Sequence, residues 1–226
     1  MDMHVYVWHV QPYLVQFDLD GTIADSTACV VGAAQSVGRA AGLQVVSDED
    51  IRQRIGEPLG PMLAALFDVD GAVLNELVAA YSREYVRLTA TMERPFAGSI
   101  PMLQRLREAG FKLAIATGKS QNGAERATQR MGLEPYFDSV HGIIPGTPGK
   151  PDPAVLMRAL DALNVEHQEA IMVGDTTYDL DLSAAIGVRN AAVSWGVHDA
   201  GVLKGRRPAF FANTMNDLCD WLLQQR

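Results

Sequence analysis

Short apolar runs punctuate the chain at "YLVQF" (13–17), "KLAIAT" (112–117), "AIMVGD" (170–175) and "AAVSW" (191–195), with a weaker one at "SVHGII" (139–144). Runs this short, bounded by polar and glycine-containing segments, read as buried strands. Helical periodicity fills segments between them. "SIPMLQRLREAG" puts Met102, Leu103 and Leu106 on one face and stops at Gly110, a residue suited to the left-handed turn that ends a helix. "DPAVLMRALDALN" offers Asp152 as N-cap and Pro153 at the first helical position, then repeats Leu156, Leu160 and Leu163. Strands that alternate with helices of this length predict an α/β fold: a Rossmann-like parallel sheet with helices on both faces.

The stretch 25–94 breaks that rhythm. It holds helical patterns at 27–41, 48–55, 59–67 and 73–91 and no strand. Ser47 and Asp50 have the spacing of a capping box. Leu77, Tyr81, Tyr85 and Leu88 form a helical stripe that packs these helices together. The expected organisation is an α-helical domain, residues 25–94, inserted into a core made of 1–24 and 95–226. Asp25 marks the way into the insertion, and "MERPFAGS", with Pro95 and Gly98, is the return hinge. The partly alternating "HVYVWHV" (4–10) reads as an edge strand or an N-terminal arm, without a function for its two histidines.

Charge narrows the function classes. Of 226 residues, 19 are Lys or Arg and 27 are Asp or Glu, a formal net charge of −8. This balance disfavours a nucleic-acid backbone or an anionic membrane as partner, since both need clustered cations. Cys29 and Cys219 stand far apart, as suits a reducing compartment. The N-terminus lacks the basic and apolar regions of a signal peptide, and no apolar run approaches the length of a membrane span. A soluble cytoplasmic protein is the expectation.

In an open parallel sheet, reactive groups collect at the carboxyl ends of the strands. Asp18 and Asp20 follow the first strand; Thr117, Gly118 and Lys119 end the second; Lys150 sits in a Gly/Pro loop before a helix; Asp175 and Asp179 follow "AIMVG". Singly, these residues read as turns, helix caps, a β-former and a solvated charge. Together, at four successive strand ends or the loops after them, they point to one site.

"FDLDGTIADS", "IATGKS", "GKPDP" and "VGDTTYDLDLSAA" resemble the four signature motifs of the haloacid dehalogenase superfamily. The helical insertion resembles the cap of the subgroup that contains phosphoglycolate phosphatases and β-phosphoglucomutases. The resemblance implies that Asp18 is a nucleophile forming an aspartyl-phosphate. It also implies Mg2+ held by the Asp18 side chain, the backbone carbonyl of Asp20 and Asp175, with Asp179 as an outer or alternative ligand. Lys150 would offset charge, Thr117 would hydrogen-bond a phosphoryl oxygen, and Gly118 and Lys119 would help cradle the substrate. Asp20 would act as general acid and then base, a role that contributes roughly 10²–10⁴-fold. Haloalkanoate dehalogenases need no such acid, because halide leaves without a proton, so Asp20 favours phosphoryl transfer.

"RIGEPLG" (54–60) resembles a cap loop that faces the site in relatives, which makes Gly56, Glu57 and Pro58 candidate substrate contacts. Arg52 and Arg54 read as a solvated helix face. Gly118 stands where many phosphoglycolate phosphatases carry Asn. The implied activity is hydrolysis of a small phosphorylated metabolite by a monomer or homodimer, phosphoglycolate phosphatase-like. The rivals are a sugar-phosphate mutase, a pyrophosphatase and a catalytically silent binding or regulatory module on the same fold.

Overall fold

The computed structural model describes residues 13–226. Segment 4–10, the expected edge strand or arm, lies outside them. In chain order the elements are β1 (Leu14–Phe17), β2 (Ala24–Asp25), α1 (Thr27–Ala40), α2 (Asp48–Arg52), α3 (Leu59–Phe67), α4 (Gly71–Met92) and β3 (Arg94–Pro95). There follow α5 (Ser99–Glu108), β4 (Lys112–Ser120), α6 (Gln121–Arg130), β5 (Ser139–Ile143), α7 (Ala154–Leu163) and β6 (Ala170–Gly174). The chain finishes with α8 (Thr177–Ala185), β7 (Arg189–Val193), α9 (Ala200–Gly205), β8 (Phe210–Ala212) and α10 (Met215–Leu223).

Six strands form one parallel sheet in the order β5-β4-β1-β6-β7-β8. Alternation along each strand sorts side chains to its two faces. Val15 and Phe17 join Leu113, Ile171 and Val173 against α5 and α10, while Leu14 joins Ala114, Ala170 and Met172 against α7. Both faces are therefore covered, as the near-continuous apolar strands require.

Between β2 and β3, helices α1 to α4 bury a separate apolar cluster that includes Val31, Leu63, Phe67, Leu77 and Tyr81. Tyr85 and Leu88 of the helical stripe pack against its margin. The chain enters and leaves this layer through an antiparallel ribbon, Ala24 opposite Pro95 and Asp25 opposite Arg94. The ribbon is two residues long on each side, too short to leave a sequence pattern.

Several boundaries differ from expectation. β4 continues three residues past Thr117 to Ser120, which pairs with Ile143 after a shift in register. β7 starts and stops two residues before "AAVSW" does, and β8, only three residues long, has too little pattern to be read. α2 ends at Arg52, where the Arg54 and Ile55 N–H groups bond to the carbonyls of Ile51 and Arg52, three residues back instead of four, before Gly56 follows at a φ of 104°. Helix α7 begins one residue late: Pro153 takes the cap position, and Asp152 Oδ1 instead accepts from the Ala154 N–H at 2.9 Å. Ser47 caps α2 as expected, its hydroxyl oxygen accepting from the Asp50 N–H at 3.1 Å, but Asp50 returns the contact by accepting from that hydroxyl rather than from backbone. Among the described residues, no helix is long and apolar enough to cross a membrane.

Candidate active site

β1 lies between β4 and β6, where the strand order reverses, and the crevice beyond the carboxyl end of such a strand is the natural place for a ligand. The Asp18 N–H donates to the Val173 carbonyl at 2.9 Å, so the ladder holds the backbone up to that residue. The chain then turns sharply at Gly21, whose φ is 75°. A Cβ there would fall 2.2 Å from Asp175 Oδ2, so this turn admits only glycine. Next to it, the Thr22 hydroxyl donates to Asp175 Oδ1 at 2.8 Å, and the Val197 N–H donates to Asp175 Oδ2 at 2.9 Å.

Asp18, Asp175 and Asp179 bring carboxylate oxygens within 4.8 Å of one another, and all three residues are buried. Among the described residues, Lys150 is the one ammonium paired with this cluster: Nζ stands 2.9 Å from Asp18 Oδ1 and 2.5 Å from Asp179 Oδ1. Burial pulls the Lys150 ammonium down, but Asp179 and Asp18 outweigh it and hold its pKa above the ordinary lysine value. Asp18 is pushed up to about 6, first by burial, with Asp179 and Asp20 adding repulsion that Lys150 only partly offsets. Burial likewise raises Asp175 well above the usual carboxylate range, with Asp18 and Asp179 contributing.

One lysine against three buried acids leaves an excess of negative charge. In addition, Asp18 Oδ1, though within ion-pair distance of Lys150, has no hydrogen-bond partner among the described residues. A carboxylate oxygen met by Lys150 alone, in an over-acidic, all-oxygen cluster, fits a hard divalent cation. Asp179 is the most committed of the three. Its Oδ2 accepts from the Thr176 N–H and hydroxyl at 3.2 and 2.7 Å while Oδ1 takes Lys150, which suits it to an outer position.

Stability should report this charge excess. Asp18 has an ordinary pKa of 3.8 when exposed and about 6 here, so between those values the folded chain binds more protons than the unfolded one. Stability of the metal-free protein should therefore fall as pH rises through that window and stay low above it. A divalent cation, with Mg2+ as the probe, should raise the melting temperature by about 5 °C at pH 7.5 and much less at pH 5. Calorimetry at the two pH values checks this; an equal rise at both would mean the carboxylates are not what the ion meets.

Asp20 belongs to a different neighbourhood. Its Oδ1 accepts from the Ser26 hydroxyl and, at 3.3 Å, from the Tyr85 phenol of α4, and Lys119 Nζ lies 2.9 Å away. Lys119 also contacts the Tyr85 hydroxyl, lies 4.4 Å from the centre of that ring and stands 3.7 Å from Glu93. Burial lowers the Lys119 pKa, but Asp20 and Glu93 more than reverse this and raise it. Glu93, fully buried where α4 gives way to β3, is also paired with Arg130 of α6. The Lys119 ammonium, expected to cradle substrate, is thus engaged by acids on both sides of the ribbon.

Thr117 is buried at the end of the regular part of β4 and accepts from the Lys119 N–H at 3.4 Å. Gly118 lies beside the carbonyl of Gly56, so the segment Arg54–Pro58 does overhang this edge of the sheet. Glu57 is held by Arg54 at 3.2 Å and by the Tyr178 hydroxyl at 3.1 Å. Arg54 is therefore tied to its own loop, while Arg52 is exposed. Thr22, Ser26, Tyr85, Glu93 and Val197 are site neighbours that sequence reading missed. Tyr85 left one signal, a phenol in a stripe otherwise explained by packing.

A parallel sheet whose switch point carries buried acids and a lysine, with a helical layer inserted after its first strand, defines an α/β protein with a charged site at the sheet edge. The profile of the haloacid dehalogenase-like hydrolases matches residues 15–193, and the chain belongs to that family. It is 30% identical over 184 residues to a phosphoglycolate phosphatase of Caulobacter vibrioides, covering 79% of this chain and 76% of that protein. It is 28% identical over 206 residues to pyrophosphatase PpaX of Halalkalibacterium halodurans, covering 91% and 94% respectively. The solved structure of a hydrolase from Pseudomonas syringae superposes with a TM-score of 0.83 at 22% identity, covering 95% of this chain and 98% of that one, and shares the fold.

Proposed function

We propose that the protein is a magnesium-dependent phosphatase of small phosphomonoesters, working through an aspartyl-phosphate on Asp18. The observation that carries this reading is Asp18 itself: a buried carboxylate beyond the central strand, clustered with Asp175 and Asp179 and set against Lys150. Bound Mg2+, held by Asp18, the Asp20 carbonyl and Asp175 with Asp179 behind them, would supply the positive charge that lets one anion approach another. Lys150 keeps Asp18 ionised and meets the incoming phosphoryl oxygens, and Thr117 donates its hydroxyl to one of them.

Asp18 attacks phosphorus, and the bond to the leaving oxygen breaks as Asp20 gives that oxygen a proton. Asp20, now a carboxylate, takes a proton from a water, which attacks phosphorus and frees inorganic phosphate and Asp18. Ser26, Tyr85 and Lys119 hold Asp20 for both steps. Residues 25–94 act as a cap on a core of 1–24 and 95–226, a division supported by their separate apolar cluster and the short ribbon beneath it. Cys29 and Cys219, both free and buried, accord with a cytoplasmic location.

Inorganic pyrophosphate is the second reading, favoured by the PpaX relative. The same residues serve it, since the leaving group is then a phosphate. Comparing kcat/KM for 2-phosphoglycolate, p-nitrophenyl phosphate and pyrophosphate separates the two. Phosphate release from a monoester should depend on Mg2+, stop with EDTA and return when Mg2+ is restored. A full rate in EDTA would remove the metal from the mechanism.

A further inference from the structure

One loop outside the catalytic set touches every part that must move together. Following β7, Trp195 Nε1 donates to the Thr22 carbonyl at 3.0 Å, beside the turn out of β1. Val197 gives its N–H to Asp175 and packs its side chain against the apolar cluster of the helical layer. His198 Nδ1 accepts the Thr177 N–H at 3.1 Å, at the start of α8. That bond requires Nδ1 to be unprotonated, so the proton sits on Nε2. Nε2 is buried without a hydrogen-bond partner among the described residues. Burial holds the His198 pKa below the ordinary histidine value, opposed by Asp179 and by the backbone of Gln53 and Ile55, which lies near the ring where α2 runs into the overhanging loop.

Tyr178 completes the arrangement. Its ring centroid lies 5.8 Å from that of His198, and its hydroxyl donates to Glu57. Gly56 sits so tightly on this ring that a Cβ would come within 2.7 Å of it, at a φ of 104° that disfavours any side chain. On the far side, Pro58 packs against Gly149, the residue before Lys150. A buried donor with no acceptor thus lies beside a loop already seated on the neighbouring ring.

We infer that the loop Trp195–His198, with Tyr178, is a clasp: His198 Nε2–H bonds the carbonyl edge of loop 53–56 and Tyr178 holds Glu57, which positions the cap over the phosphoryl site. The inference rests on the reading of residues 25–94 as a cap. Because substrate is retained only while the cap is down, weakening the clasp lowers the closed fraction and raises apparent KM in proportion. His198 and Tyr178 are positioning residues that do not touch the reacting atoms.

His198→Asn and His198→Gln separate this role from simple capping of α8. Asn places its carbonyl oxygen where Nδ1 stood and keeps the Thr177 contact, but has nothing at the Nε2 position. Gln places its amide near Nε2 and gives up the Thr177 contact. With the Mg2+-loaded enzyme and p-nitrophenyl phosphate, His198→Asn should raise KM about three- to tenfold with kcat within about twofold. Tyr178→Phe, which keeps the ring under Gly56, should act in the same direction, and His198→Gln should stay close to the parent. Amide hydrogen exchange at 53–58 should accelerate in His198→Asn and not in His198→Gln. The reverse order, or unchanged exchange at 53–58 in His198→Asn, would overturn the clasp. If the parental protein hydrolysed no phosphate ester, the functional reading would fail while the exchange comparison still decided the clasp.

Discussion

Asp18→Asn is expected to remove turnover of phosphomonoesters by about 10⁴–10⁶-fold, the scale of losing a covalent nucleophile from a set of residues that act as a unit. The amide keeps the size and one acceptor of the carboxylate but cannot form the acyl-phosphate. The fold should survive. Asp18 carries its charge at a cost, since burial and its acidic neighbours push it up to about 6. Its neutral replacement should therefore melt no lower than the parent at pH 7.5 without metal. Kinetics and calorimetry on one preparation check both halves. A rate near the parental value would exclude Asp18 as nucleophile, and lost activity with a collapsed melting transition would say nothing beyond misfolding until Asp18→Glu is compared.

Lys150→Met should damage both activity and stability. Lys150 is buried and pairs with Asp18 and Asp179 at 2.9 and 2.5 Å. Removing one partner of a buried ionic group leaves uncompensated charge, a loss of about 3–5 kcal/mol. Without the ammonium, the Asp18 pKa should climb further, because Lys150 is the main influence that lowers it. Turnover should fall by about 10²–10³-fold even with Mg2+ present, as for loss of a preorganised group facing the charge that develops in the transition state. Urea denaturation in EDTA measures the first effect. A change below about 0.5 kcal/mol would mean that the acids are already neutral and that the ion pair is not what holds the cluster together.

The candidate site residues are legible as a group because they follow strands, and strands announce themselves by short apolar runs. Asp18, Thr117 and Asp175 each sit where a run stops, and Lys150 where a Gly/Pro loop meets a helix, so the parallel sheet brings them to one edge. Helices α1 to α4 were legible by periodicity, and even the stripe from Leu77 to Leu88 packs largely as read.

What escaped has a common cause. Tyr85 and Asp20 meet across 65 positions, Thr22 and Asp175 across 153, and nothing local distinguishes a phenol or hydroxyl that will find such a partner. Glu93 resembles any acid ahead of a proline hinge, yet it is buried between Lys119 and Arg130. The extension of β4 beyond Thr117 escaped because glycine and lysine are poor strand formers, and pairing with Ile143 overrides that preference. Lys119 was placed at the right edge of the sheet, but its partners could not be read from spacing.

The central claim is that the phosphoryl group passes through Asp18, and trapping it there tests the claim most directly. In Asp20→Asn, an aryl phosphate whose leaving group needs no proton can still phosphorylate the enzyme, while the attacking water has lost its base. Acid quenching during turnover of p-nitrophenyl phosphate with Mg2+, followed by peptide mass spectrometry, should find one phosphoryl group on Asp18 in a large share of the chains. Release of p-nitrophenol without an adduct, or an adduct on any other residue, would contradict it.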